Sequence, residues 1–341
     1  MVSGRDKQIF GIIMQEFIST GEPVGSRVVS RRYDLNVSPA TIRNVMADLE
    51  EYGYLQQPHV SAGRIPTPEG IRFFLGEILQ TRILPKGEKT MIARHLAKSF
   101  GSLRDTLHET SLLLSEISQN AAIIILPKLT TFILKRIEFL RLDDKRILVI
   151  LISKSGMVYN HIVQGEYIAQ DELTKYSNFL NETYADMTIQ KVRDMLVSEM
   201  SSEKARFDHL VRKAMELGKT ALEGVEDAPD IVIEGKESVF NYPEFSDIDR
   251  LRDIVRAFED KGRILRLLNQ VLADSGVKVF VGEELGALGM RDFSMVASGY
   301  SRGDTPVGTL GVIGPLRMDY GRVIPLVEYV AKVLSSLLED I

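Results

Sequence analysis

The sequence predicts an α+β protein of two or three domains, and this prediction rests on three observations. The first 80 residues carry a helix–helix–helix–hairpin–helix pattern, strand patterns fill 121–163 and 277–313, and a polar helical stretch at about 170–224 separates the two strand regions. Strands on both sides of a helical stretch predict one α+β domain that carries an insertion. The 341 residues allow this organisation, because domains take roughly 100–200 residues each.

Periodicity and capping residues define the first two helices. Apolar residues at helical spacing predict a helix over 5–19, with Ser3 as its N-terminal cap and Gly21 as its stop. Ser26 is predicted to cap a second, short helix that ends near Tyr33. These two helices would pack behind a third.

The third helix and a hairpin complete the N-terminal pattern. Ser38-Pro39 opens a helix that runs to Tyr52, because proline at the first helical position loses no hydrogen bond. Two short strands, Leu55–Gln57 and Arg64–Thr67, are predicted around a loop that contains Pro, Ser and Gly. A further helix begins at Thr67-Pro68.

We place the first domain boundary at Pro85–Gly87, where proline and glycine interrupt the pattern. Helices are predicted beyond it at about 88–99, 103–119, 247–273 and 320–339. The predicted strands are Ala121–Leu126, Phe132–Leu142, Arg146–Ile152, Val158–Val163, Ile231–Glu234, Val277–Val281, Met295–Tyr300 and Thr309–Ile313.

Composition excludes several classes of site and protein. The chain has 42 Lys and Arg against 47 Asp and Glu, and it has no Cys, which excludes a disulfide framework, a thiolate metal site and a cysteine nucleophile. The longest apolar runs span about six residues, whereas a membrane helix needs roughly 20. The first residues do not read as a signal peptide. We therefore expect a cytoplasmic protein without a membrane partner.

Charge is unevenly distributed in the N-terminal region. Residues 23–47 contain four arginines and one aspartate, whereas 48–51 contain three acidic residues. The third helix buries one apolar face and turns small residues, Arg43 and Asn44 outward. Arginine and asparagine make bidentate contacts to guanine and adenine edges in the major groove. Such a helix taken alone is usually a solvated surface helix, but its combination with three short helices, a hairpin and a basic segment favours a winged-helix DNA-binding domain.

Other constellations indicate neither catalysis nor cofactor binding. The spacing Gly308-x-x-Gly311-x-x-Gly314 lacks the Lys-Ser/Thr of a phosphate-binding loop and favours a tight strand and turn. Adjacent carboxylates at Glu283 and Glu284 point to different sides of any regular element. The five histidines have no metal-ligand spacing. We therefore expect no enzyme, no cofactor and no metal.

Several long motifs resemble one family across the whole chain. They are Pro23-Val-Gly-Ser-Arg27, the segments 38–50 and 57–67, and Gly311-Val-Ile-Gly-Pro-Leu-Arg-Met-Asp-Tyr320. These segments closely resemble HrcA, the heat-inducible transcription repressor family. The resemblance implies a winged helix-turn-helix domain at 1–84, a GAF-like α+β domain at 88–165 and 229–341, and an inserted helical or α+β dimerisation domain at 166–228.

The resemblance also implies a function. It implies a homodimer that represses chaperone operons such as groE and dnaK by binding the CIRCE inverted repeat, that leaves DNA on heat stress, and that depends on the GroE chaperonin. The alternative is a small-molecule-responsive winged-helix regulator that uses the GAF-like domain as its ligand sensor. Its pocket would lie between the strands of 121–163 and those of 277–313.

The candidate DNA-binding residues fall into three groups. The recognition helix offers base or backbone contacts from Ser38, Ala40, Thr41, Arg43 and Asn44. Phosphate contacts are expected from Arg27, Arg31 and Arg32. The wing is expected to comprise Ser61, Gly63 and Arg64, with Gly63 allowing close approach of the loop tip to DNA and Arg64 entering the minor groove.

Overall fold

The computed structural model describes residues 2–33, 37–59, 62–97, 103–125, 132–154, 158–199, 209–223, 231–245, 247–272, 276–303 and 305–340. Its strands form a two-stranded hairpin, a three-stranded sheet and a five-stranded sheet, all antiparallel. Helices accompany each of them. The α+β class predicted from the sequence is confirmed. None of the helices among these residues has the length and apolar character that crossing a membrane requires.

The N-terminal elements follow the predicted order. They are α1 (Gly4–Thr20), α2 (Ser26–Arg32), α3 (Pro39–Glu51), β1 (Leu55–Gln56), β2 (Ile65–Pro66) and α4 (Pro68–Glu77). Ser3 and Asp6 form a reciprocal capping box at α1, and Gly21 ends that helix with a left-handed φ of 73°. The predicted cap of α2 is wrong: Gly25 is the N-cap, and Ser26 is already the first helical residue.

The N-terminal core lies between α1, α3 and α4. Every fourth or third residue of each helix turns inward, which buries Ile9, Ile13, Ile42, Leu49 and Ile71. An aromatic stack between the rings of Tyr54 and Phe73, whose centroids lie 4.5 Å apart, joins the hairpin to α4. The packing of α3 in this core therefore holds it in a fixed orientation.

A separate unit follows α5 (Lys86–Ala97), α6 (Leu103–Ser118) and β3 (Ala121–Ile125). Its elements are β4 (Leu134–Arg141), β5 (Arg146–Ser153), β6 (Val158–Gln164), α7 (Gln170–Tyr184), α8 (Ile189–Glu199) and α9 (His209–Glu223). Strands β4, β5 and β6 form their own sheet in that order, and α7 packs on β4. The predicted boundary at 165/166 therefore separates a sheet from the helices that cover it.

Side chains of α7 form hydrogen bonds with the backbone at the outer edge of β4. The Asn181 amide accepts from the Ile137 N–H at 2.7 Å and donates to the Ile137 carbonyl at 3.0 Å. The Gln170 amide accepts from the Arg141 N–H at 2.9 Å and donates to the Phe139 carbonyl at 3.0 Å. An edge strand exposes unpaired backbone groups, so these bonds tie sheet and helix into one unit.

The chain then returns to the five-stranded sheet. Its remaining elements are β7 (Ile231–Glu234), α10 (Ile248–Glu259), α11 (Lys261–Leu272), β8 (Val277–Val281), β9 (Phe293–Arg302), β10 (Thr305–Pro315) and α12 (Tyr320–Asp340). Short 3₁₀ helices span Lys236–Asn241, Pro243–Phe245 and Gly282–Leu288. The strand order is β7-β3-β10-β9-β8.

Apolar side chains bury both faces of this sheet. Ala122 and Ile124 belong to the core that α6 and α12 cover, whereas Ala121, Ile123 and Ile125 belong to the core on the side of α10 and α11. Burial on both sides explains the unbroken apolar sequence of β3. The ligand pocket considered for the alternative function would join β4–β6 to this sheet, but those strands form a different sheet.

The glycine-spaced segment lies within β10, as a strand and not as a phosphate loop. At Gly311 a Cβ atom would lie 2.8 Å from the Val296 carbonyl oxygen, so the pairing with β9 leaves no room for a side chain. Gly308 lies under the ring of Tyr300, whose hydroxyl donates to the Ile125 carbonyl at 2.7 Å. The spacing reflects close packing between strands.

Candidate nucleic-acid interface

The outer face of α3 is the first part of the interface. Ala40, Arg43, Asn44 and Ala47 are exposed, whereas Ile42, Val45, Met46 and Leu49 are buried. The helical face predicted from spacing is therefore confirmed. Small side chains on either side of Arg43 and Asn44 let the helix backbone approach a groove floor closely.

Ser38 and Thr41 fix the start of α3. The Ser38 hydroxyl accepts from the Thr41 N–H at 3.1 Å, and the two hydroxyl oxygens lie 3.0 Å apart. Together with Pro39 at the first helical position, this cap sets where α3 begins. Both side chains thus have a structural role in addition to the DNA contact predicted for them.

Three arginines from three elements line one cleft of about 440 Å³. Arg27 comes from α2, Arg43 from α3 and Arg64 from the hairpin. The other residues of this arginine cleft are Val24, Gly25, Ser26, Met46, Gln57, Ala62 and Gly63. The fold therefore brings together one residue from each of the three predicted groups.

The positive charge of this surface is only partly compensated. Within the part of the chain that the structure describes, the side chains of Arg27, Arg31 and Arg43 are exposed and form neither an ion pair nor a hydrogen bond. The acidic residues 48–51 lie at the far end of α3. Uncompensated arginines on one face create the local positive potential that attracts a polyanion, although the whole chain carries a net charge of −5.

Arg32 differs from its neighbour Arg31. Its guanidinium donates to the carboxylate of Glu16 at 2.7 Å, and Glu16 is only 5% exposed. The hydroxyl of Tyr33 donates to the same carboxylate at 3.0 Å, and burial with this bond raises the pKa of Tyr33. Arg32 thus neutralises a buried carboxylate of α1, a role that sequence charge counting could not distinguish from phosphate binding.

Gly63 and Arg64 lie where the connecting loop meets β2, and not at the loop tip as the sequence led us to expect. The backbones of Arg64 and Val24 exchange two hydrogen bonds of 2.9 Å. A Cβ atom at position 63 would lie 2.5 Å from the Val24 carbonyl oxygen, so this glycine permits contact between two protein segments. The Arg64 guanidinium donates to Glu50 at 2.7 Å. Ser61 lies outside the described residues.

Two polar residues of the arginine cleft, Ser26 and Gln57, were not predicted as DNA contacts. Gln57 braces the hairpin by donating from its amide to the Ala62 carbonyl at 3.1 Å, and Ser26 opens α2 beside Arg27. Both belong to the motifs that resemble the family, but polar residues at a helix start or in a hairpin loop commonly serve only to cap or stabilise the turn. Only the tertiary arrangement places them beside the arginines.

Comparison with known proteins identifies the chain. A family model for the HrcA protein C-terminal domain matches residues 104–324. The heat-inducible transcription repressor HrcA of Syntrophobacter fumaroxidans is 46% identical over 341 residues, which cover 99% of this chain and 98% of the relative. The chain belongs to the HrcA family of heat-inducible transcription repressors. The family predicted from the motifs is confirmed.

Further matches agree with this membership. The HrcA repressor of Geobacter sulfurreducens is 42% identical over 339 residues, which cover 99% of this chain and 98% of the relative. A crystal structure of a hypothetical protein at 2.2 Å resolution matches with a TM-score of 0.66 and 22% identity, over 100% of this chain and 99% of that chain. The last match supports a shared fold alone. These relatives of the chain are named as transcription repressors, and their names indicate no enzyme activity.

Proposed function

We propose that this HrcA-family chain represses chaperone operons by binding an inverted-repeat operator of the CIRCE type as a homodimer in the cytoplasm. The observation that carries this proposal is the arginine cleft beside the exposed face of α3, with unpaired Arg27 and Arg43. Helix α3 enters the major groove, where Arg43 and Asn44 read base edges. Arg27 and Arg31 contact phosphates.

The N-terminal unit serves as a winged helix-turn-helix domain in this proposal. Helices α1, α2 and α3 precede the β1–β2 hairpin, which acts as the wing. Arg64 reaches the minor groove only if its contact with Glu50 opens, since that ion pair holds it against α3. Ser61, which lies outside the described residues, stays a predicted wing contact, whereas Gly63 contributes by letting the hairpin pack against Val24.

Homodimerisation is supported by the exposed face of the three-stranded sheet. Outward side chains of its central strand, Leu148, Ile150 and Ile152, are only half-buried. On the neighbouring strands Leu140 and Ile162 lie beside Leu148, and Val158 lies beside Ile152. An aliphatic patch on a sheet is typical of an interface between protein chains. A second copy covers it with the same patch, as a two-fold dimer requires.

We divide the chain accordingly. A winged-helix domain ends near residue 84, the five-stranded sheet and its helices form the GAF-like domain, and the inserted dimerisation domain spans about 132–223. This insert is longer than the predicted 166–228 segment, because α7 and β4 share hydrogen bonds. The GAF-like domain thus comprises α5–β3 and the elements from β7 to α12.

In this proposal, heat dissociates the dimer. A repressor that binds a palindrome requires both subunits, so loss of the dimer releases DNA even while each winged-helix domain, the DNA-binding head, stays folded. The GroE chaperonin then restores active protein by refolding it. Moderate heating should lower molar mass or solubility before it lowers the circular dichroism of the heads, and a soluble dimer that has lost DNA binding would contradict this order.

A gel-shift titration tests the proposed function directly. We expect the chain to shift a palindromic chaperone-promoter fragment at concentrations at least about 10³-fold lower than a scrambled fragment of the same composition. Raising the salt concentration should weaken both complexes, because phosphate contacts release counterions. Equal affinity for the two fragments would contradict sequence-specific repression.

A further inference from the structure

The motif Gly311–Tyr320 has a role that its sequence did not indicate. Its end and the start of α12 contact the segment 78–85, which connects α4 to α5. The Arg82 guanidinium lies 3.1 Å from the Asp319 carboxylate, and the Arg82 N–H donates to the Gly321 carbonyl at 2.9 Å. One backbone bond and one ion pair thus hold the connector against the C-terminal helix.

Arg317 of the same motif contacts the head itself. A Cβ atom at Gly21 would lie 2.9 Å from the Arg317 Nε atom, so the guanidinium packs on the left-handed end of α1. On its other side this guanidinium lies over the ring of Tyr242, at 4.8 Å from the ring centroid. Arg317 therefore bridges the DNA-binding head, which comprises α1 to α4, and the body, which comprises the five-stranded sheet and its helices.

A second contact joins the head to the far edge of the five-stranded sheet. Gly282 has a φ of 60°, and a Cβ atom there would lie 2.8 Å from the Pro68 ring at the start of α4. Arg72 of α4 forms an ion pair with Glu284, which also accepts from the Val281 N–H at 2.8 Å. The head is thus held at the end of α1 and along α4, two separated points that restrict its rotation.

The first of these contacts lies close in sequence to the arginine cleft. Gly21 is followed by Val24, which pairs with Arg64 and lines the cleft, and Arg27 comes three residues later. A shift of the chain at Gly21 therefore moves residues of the cleft. The side chain that rests on Gly21 belongs to the body, so the body influences where the DNA-binding surface lies.

We propose that Arg317 and Arg82, acting through Gly21 and Asp319, are positioning residues that set the orientation of each DNA-binding head on its body. This inference rests on the proposed function, because the orientation matters only when two heads of a dimer meet one inverted repeat. Bivalent binding gains affinity only where the geometry lets both heads engage at once. The motif thereby determines the operator spacing that the dimer prefers.

The double variant Arg82→Ala/Arg317→Ala tests this inference with the full-length protein. The probes are a duplex with one half-site, the complete inverted repeat, and repeats whose spacer is lengthened by about half a helical turn, roughly 5 base pairs. We expect about a 10-fold loss of affinity for the complete repeat and less than about a 2-fold change for the half-site. The preference for the natural spacer should shrink.

A matched variant controls for loss of an exposed ion pair. Arg322→Ala removes the 3.3 Å contact between α12 and Glu88 of α5 without touching the head. It should keep the spacer preference of the wild type. A double variant that retains that preference, or that loses half-site and full-site binding equally with a lower melting temperature, would overturn the positioning role.

A second readout does not depend on DNA. Because the chain has no cysteine, spin labels can be attached at Gln8→Cys on α1 and Lys332→Cys on α12, both exposed positions. The distance distribution between the labels should broaden in the double variant and stay narrow in Arg322→Ala. An unchanged distribution would overturn the inference. A wild type that does not distinguish the repeat from a scrambled duplex would instead contradict the proposed function.

Discussion

The outer face of α3 and the outer face of the three-stranded sheet both present side chains that the protein itself leaves without close packing. On α3 these are charged or polar, with Arg43 and Asn44 between small residues. On the sheet they are aliphatic, with Leu148, Ile150 and Ile152 in the central strand. The first surface suits a polyanion with polar base edges, and the second suits another apolar face.

This difference shows which surfaces can be predicted from the sequence and which cannot. The surface of α3 depends on one helix, so its 3.6-residue period was enough to predict it. The sheet surface depends on the pairing register of three strands, which sets Leu140, Leu148 and Ile162 in one row. An unbroken run such as 147–152 reads as a strand buried on both faces, and the sequence cannot show that one face stays open.

The largest expected effect comes from a charge on the sheet. Leu148→Glu should raise the dimer dissociation constant by about 100-fold or more, because the carboxylate would have to be desolvated in the interface. Affinity for the inverted repeat should fall with it, while half-site binding is kept. Sedimentation over a concentration series measures the dimer, and Asn178→Glu on the exposed side of α7 is the control, because it adds a carboxylate away from the sheet face. A Leu148→Glu dimer as tight as the wild type would remove this surface from the account.

Removing the base contacts should have the next largest effect. Arg43→Ala and Asn44→Ala are each expected to cost about 1–3 kcal/mol on the inverted repeat and little on random duplex. Arg31→Ala should instead weaken all duplexes and lower the salt slope by about one. Titrations on both duplexes at several salt concentrations measure this. If Arg43→Ala lost both affinities equally, its contact would be to phosphate.

Replacing the two adjacent arginines of α2 should affect stability differently, because Arg32 is paired within the fold and Arg31 is expected to bind DNA. Arg32→Ala leaves the buried Glu16 carboxylate without its ion pair and should lower the free energy of unfolding by about 1–3 kcal/mol. Arg31→Ala should leave stability unchanged, since Arg31 has no ion pair among the described residues. Urea unfolding of the two variants compares them. Equal stability would mean that the contact with Glu16 contributes nothing.

The smallest effect concerns pH and the inserted unit. Burial lowers the pKa of His161 in β6 below its usual value, and a contact with the Ala221 backbone opposes this shift only in part. As pH falls through about 6.5, the unfolded chain takes up a proton that the folded chain resists, so stability decreases. The decrease should be less than about 1 kcal/mol and should flatten in His161→Gln. Thermal unfolding at pH values above and below 6.5 measures this, and an identical pH dependence in the variant would exclude His161.

The elements themselves were largely predictable. Capping residues and periodicity predicted α1 and α3 within one or two residues and the start of α4, and strand patterns predicted β4–β6 and β8–β10, because these signals are local. The division into sheets was not predictable, since nothing in residues 134–164 shows which strands they pair with. In the fold, Asn181 and Gln170 of α7 form hydrogen bonds with the outer edge of β4, so no further strand pairs there.

The candidate site was predictable in part for the same reason. Residue type and helical face identified Arg43 and Asn44. Whether each of the other arginines is free or ion-paired depends on acidic residues that are distant in sequence. Arg32 meets Glu16 from the preceding helix, and Arg64 meets Glu50 from α3. Charge counting treats all of these residues alike, and only the fold separates the free cations from the paired ones.

Methylation protection of guanine N7 on the inverted repeat tests the central claim most directly, because N7 lies in the major groove where α3 is placed. The wild type should protect guanines symmetrically in both half-sites. Arg43→Ala, at concentrations that saturate the repeat, should lose protection at one guanine in each half-site and keep the others. An Arg43→Ala pattern identical to that of the wild type would contradict the placement of α3 in the major groove.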